Sequence, residues 1–219
     1  MGRLKPKYLL AALLASGCTP DAPVTDLSQE TLADAAELCE LVRTDYAYYP
    51  DRQENWEAAC AGFAGMLGPV TTKPEQLRAL ETLVDALYDP HATFGTHSGM
   101  SPRVVPSGSD YWLEGDRVTA VRPGSAAARA GLVVGDQIVA INGRPLADAI
   151  VTRLHPKNAS SSETQKAWAL NAAAAGYRDE PRSVTISRIS ESETLSLDGY
   201  VTDAQQVPLS SRILDGNVA

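Results

Sequence analysis

Positive charge is in short supply in this chain. Nineteen Lys and Arg stand against 27 Asp and Glu, a formal net charge of -8. So acidic a surface repels phosphate backbones and anionic headgroups, and nucleic acid is excluded as an expected partner. Histidine is scarce as well, three in 219 residues, and none lies near a cysteine, so no metal centre of the Cys/His kind is expected and no cofactor is implied. There is no Gly-x-Ser-x-Gly elbow, hence none of the strained strand-to-helix turns that expose a serine nucleophile. Repeats are lacking. Apolar runs are short, and the N-terminal one at residues 8–15 falls well below the roughly 20 residues that a bilayer-spanning helix needs.

That short run has a context. Arg3, Lys5 and Lys7 precede it, and Leu14-Ala15-Ser16-Gly17-Cys18 follows. A basic start, an apolar centre and small residues before a cysteine make a cleaved export signal. The ending resembles the lipobox of bacterial lipoproteins, which implies lipidation at Cys18 and a membrane partner through that anchor. Loss of Arg3, Lys5 and Lys7 with the signal leaves the remainder three units more negative. Residue 19 is Thr, not Asp, so by the same resemblance the expected place is the cell envelope, at the outer membrane facing the periplasm. Residues 1–18 are thus assigned to signal and lipobox, and the Pro-rich residues 19–27 to a tether.

Residues 28–99 carry three stripes at helical spacing. Leu32, Ala35, Ala36, Cys39, Val42 and Tyr46 follow Ser28, a good N-cap. Trp56, Ala59, Cys60, Phe63 and Leu67 mark a second helix over 53–67. Leu77, Leu80, Val84 and Leu87 mark a third behind Pro74. A three-helix bundle is expected. Cys39 and Cys60 fall on the apolar faces of neighbouring helices, and in an oxidising compartment they form either a disulfide or two buried thiols.

Beyond residue 100 the period changes. Residues 117–121, 137–141, 183–189 and 193–197 have strand character, 147–154 and 165–175 helical character, and 158–164 is polar loop. Ser160, Ser161 and Ser162, near Lys166, fall in that solvated loop rather than in a nucleophile site.

The run Pro123-Gly124-Ser125-Ala126-Ala127-Ala128-Arg129-Ala130-Gly131-Leu132-Val133-Val134-Gly135-Asp136, followed by strand 137–141 and Asn142-Gly143, resembles the heart of a PDZ domain. Each part has a mechanical role. Ser125 caps a short helix, Gly131 ends it in a left-handed conformation, Leu132 plugs the core, and two tight turns flank the strand. The expected class is therefore α+β, a helical bundle followed by a PDZ-like, partly open β-barrel with short helices over residues 100–200. The resemblance implies strand addition of extended or unfolded polypeptide tails. It places the groove near Tyr111, Trp112 and Leu113, with core packing as the alternative, favoured for Trp112. The Gly-apolar-Gly-apolar sequence usual in the carboxylate-holding loop is absent.

Helices closed by Asp89-Pro90-His91, then a PDZ, then Arg212-Ile213-Leu214-Asp215-Gly216-Asn217-Val218 resemble the C-terminal processing and tricorn-type serine peptidase family. The resemblance implies that His91 is a general base. It also implies that residues 201–219 are a linker and the first strand of a catalytic domain that is truncated here, with a separately encoded catalytic domain as a candidate partner. Serine endopeptidase is then the family activity, and this chain is not competent alone. The alternative is a free-standing PDZ lipoprotein adaptor that binds tails without cutting them.

Overall fold

The structure, a computed structural model, describes residues 26–155, 161–189 and 191–197. The expectations for Cys18, the tether before residue 26 and the segment 201–219 lie outside these residues.

Helices α1 (Ser28–Asp45), α2 (Tyr49–Met66) and α3 (Lys73–Val84) pack their apolar faces around Trp56, which is fully buried and donates its indole N–H to the Cys39 carbonyl at 3.2 Å. Cys39 on α1 and Cys60 on α2 are joined as a disulfide, with Cα atoms 6.1 Å apart. Helix α2 begins four residues before the expected position. Pro50 lies in its first turn, where a missing N–H costs nothing. Thr72 and Glu75 form a capping box that starts α3.

The second half is an antiparallel sheet in the order β1-β2-β3-β5-β6. Its strands are β1 (Tyr111–Glu114), β2 (Arg117–Val121), β3 (Gln137–Ile141), β5 (Ser183–Arg188) and β6 (Glu191–Ser196), with the two-residue β4 (Arg144–Pro145) off β3. Helices α4 (Ala126–Arg129), α5 (Leu146–Val151) and α6 (Glu163–Ala175) complete this part. Ser125 Oγ accepts from Ala128 N–H and caps α4. Gly131 (φ +88°) releases the chain, and Leu132, 2% exposed, enters the core. Asn142 and Gly143, both at positive φ, turn the chain from β3 to β4. Asp136 is nearly buried; it accepts from the Val133 N–H at 2.9 Å and from Arg188 Nε at 2.6 Å, which ties the β3 turn to β5.

Helix α6 starts two residues earlier than expected. Ser162 and Gln165 satisfy each other's backbone N–H groups in a second capping box, and this pulls Glu163 and Thr164 out of the loop. The two halves meet through polar pins: Arg153 to Asp85 at 2.6 Å, Arg78 to Glu180 at 2.9 Å, and the Tyr88 hydroxyl accepting from the His155 N–H at 2.9 Å. Tyr88 and Trp168 stack edge to face between them.

Candidate functional site

Two features carry chemistry. The first is the crevice between β1 and α6. Among the described strands β1 pairs with β2 alone, and its other side faces the helix. Tyr111 and Leu113 point into the core, 1% and 3% exposed, while Trp112 lies half-buried on the opposite face with the Arg122 guanidinium 5.3 Å from its ring centroid. This corrects the expected lining. Alternation along a strand puts residues two apart on one face, so Tyr111 and Leu113 are core residues, and Trp112, expected inside, is the one at the surface. Beside these core side chains, β1 turns the main chain of Leu113 toward α6. The Leu113 N–H donates to Asn171 Oδ1 at 3.0 Å, and Asn171 Nδ2 donates to the Leu113 carbonyl at 3.0 Å.

The loop before β1 is folded on itself. The Gly108 N–H donates to the Val104 carbonyl, and the Ser109 N–H to the Pro106 carbonyl at 3.1 Å. A Cβ on residue 108 would meet the Val104 oxygen at 2.8 Å, so only glycine allows this approach. Arg122 donates to the carbonyls of Pro106, Ser107 and Ser109. Asp110, nearly buried, pairs with the equally buried Arg182 at 2.7 Å. Two loop N–H groups are thereby committed to the protein's own carbonyls, which agrees with the missing Gly-apolar-Gly-apolar sequence. A terminal carboxylate finds no ready cradle in them.

The second feature is the Asp89–His91 pair. The His91 side chain is 91% exposed, and its Nδ1 lies 3.1 Å from Asp89 Oδ1, which also accepts the His91 backbone N–H at 2.8 Å. The other carboxylate oxygen accepts the Tyr46 hydroxyl. Burial works to raise the Asp89 carboxyl, but the hydrogen bonds from Tyr46 and His91 outweigh it and hold it below the ordinary range. The same contact, with burial first, pushes the Tyr46 hydroxyl up to about 12. A carboxylate fixed from behind orients the imidazole and leaves Nε2 facing solvent.

Other candidates fall away. Ser162 Oγ caps α6, and Lys166 pairs with Glu163 at 2.8 Å, so these do not form a serine–lysine dyad. Among the described residues no group of His, Cys, Asp or Glu is arranged to hold a metal ion, and no helix is long and apolar enough to cross a membrane.

Residues 117–154 match the family model of the PDZ domain. That span runs from β2 to just beyond α5, so β1 and α6, which build the crevice, lie outside it. No curated protein matches the chain. Among solved structures, a mutant form of CPAF superposes with a TM-score of 0.52 at 16% identity, over 78% of this chain and 34% of that one. Mature CPAF and its complex with lactacystin give 0.47 and 0.49, at 16% and 15% identity over the same shares. The chain thus spans about a third of the length of the solved chains it resembles. The second half carries a PDZ-type fold, and helices and sheet together are arranged like the corresponding part of CPAF.

Proposed function

We propose that this chain is the substrate-recognition portion of a processing-type serine endopeptidase, held at the bacterial envelope by a lipid on Cys18. The carrying observation is the β1–α6 crevice, into which Leu113 turns both its N–H and its C=O. An extended polypeptide needs that donor–acceptor pair to add as a strand. Recognition then rests on the backbone of Leu113 rather than on the side chains of Tyr111, Trp112 or Leu113. The Asp89–His91 pair supports a place beside catalysis, with His91 Nε2 as the proton acceptor for a serine that these residues do not supply. The export signal and small-residue run before Cys18 support the anchor.

The full chain is expected to bind reduced, carboxymethylated protein in titration calorimetry and to cleave none of it. Absence of binding contradicts the recognition role. Cleavage that His91→Ala abolishes contradicts incompetence of the chain alone. Reading the DNA downstream of codon 219 separates this proposal from an adaptor: a frame encoding an α/β catalytic domain supports the peptidase, and unrelated sequence supports the adaptor.

A further inference from the structure

Among the described strands β1 lies at the border of the sheet, yet the outward pairing groups of Leu113 are already taken. One primary amide, that of Asn171, both accepts from the Leu113 N–H and donates to the Leu113 C=O, each at 3.0 Å. A main-chain residue of an added antiparallel strand would make the same two bonds to Leu113. Asn171 Nδ2 is also held by the Ala167 carbonyl at 3.0 Å, one helical turn earlier. The helix beneath it is fixed by the Ser162–Gln165 capping box and by a buried face of Ala169, Leu170 and Ala172 to Ala175. An added strand runs about 4.7–4.9 Å from its neighbour. That space is filled by the Asn171 amide.

We propose that Asn171 is an internal stand-in for a polypeptide ligand: an extended chain pairs with Leu113 by displacing this amide, and Asn171 thereby sets the affinity of the groove. This rests on the reading of the β1–α6 crevice as the peptide site. The displaced amide supplies both a donor and an acceptor, so the incoming residue opposite Leu113 must do the same. Proline, which has no N–H, is disfavoured there.

The test compares the full wild-type chain with Asn171→Leu, which keeps side-chain size and removes both bonds, and Asn171→Asp, which keeps the acceptor and removes the donor. The probe is fluorescein-labelled, reduced and carboxymethylated lactalbumin, read by anisotropy. Asn171→Leu is expected to bind at least about tenfold more tightly, the weight of two neutral hydrogen bonds, with Asn171→Asp between it and the wild type. Without any probe, exchange of the Leu113 amide hydrogen should quicken in Asn171→Leu by at least about tenfold. Equal probe affinity in all three chains overturns the stand-in and leaves the groove reading intact, as does unchanged Leu113 exchange. No binding by any of them overturns the groove reading and the stand-in with it. Should Asn171→Leu fail to fold, Asn171→Asp against wild type decides by the same comparison.

Discussion

Arg153→Met removes one of the two cations, with Arg78, that pin the PDZ-type half to the helices. In the wild type, Arg153 donates to Asp85 at 2.6 Å, with side chains 5% and 24% exposed, and its guanidinium lies 4.8 Å from the Tyr177 ring. Burial pushes the Asp85 carboxyl up to about 6, against the pull of Arg153 and reinforced by the like charge of Glu81. A carboxyl raised above its unfolded value of about 3.9 favours folding most below that value, and the contribution is lost as pH rises through the folded midpoint. With Arg153 gone the midpoint climbs further. The variant's extra loss therefore opens above pH 6 and is small at pH 5, where Asp85 is mostly neutral in both folded proteins. Breaking a buried pair from one side costs about 3–5 kcal/mol, and the partial water access of Asp85 puts this case near about 3 kcal/mol. At about 2–4 °C per kcal/mol for a protein of this size, the melting temperature at pH 8 should fall by roughly 6–12 °C. Calorimetry at pH 5 and pH 8 makes the comparison. An equal loss at both pH values, or none at pH 8, refutes the reasoning.

Opening the Cys39–Cys60 disulfide, by reductant or by a Cys39→Ser/Cys60→Ser double variant, should destabilise the helical half by about 3 kcal/mol, the loop-closure value for a bridge 21 residues apart. Thermal melts with and without reductant check this. Leu132→Ala should cost about 2–5 kcal/mol in urea unfolding, because the side chain it removes is almost wholly enclosed. Tyr46→Phe deletes a hydrogen bond that holds the Asp89 carboxyl low, so its midpoint should rise in a carboxyl-carbon NMR titration. The stability that Asp89 contributes above the unfolded midpoint, lost as pH falls through the folded one, should shrink in the same variant.

The PDZ-type core was legible because its signals are local and sterically strict. Gly131, Leu132 and the Asn142-Gly143 pair announce a left-handed release, a plug and a turn, and each takes that role. Helix starts were less legible where a capping box lay inside a polar run: Ser162 and Gln165 are a Ser-x-x-Gln pair, yet Ser160 and Ser161 before them made the stretch look like loop. The crevice is poorly legible for a different reason. Apolar type draws attention to Tyr111 and Leu113 as binding surfaces, whereas the two-residue period of a strand already separates them from Trp112. Asn171 had a weak signal of its own, a lone amide among Ala169, Leu170 and Ala172 on a helix that is otherwise small and apolar there. Its bond to Leu113, 58 residues away, depends on how α6 docks against β1, and local sequence does not carry that.

In the proposed role, extended polypeptide joins the sheet at β1. Amide shift mapping of the isotope-labelled full chain, titrated with unfolded carboxymethylated protein, tests it directly. The account predicts perturbations concentrated on residues 111–114 and on the side-chain amide of Asn171. Perturbations confined to the β6 border, or none anywhere at saturating probe, would contradict it.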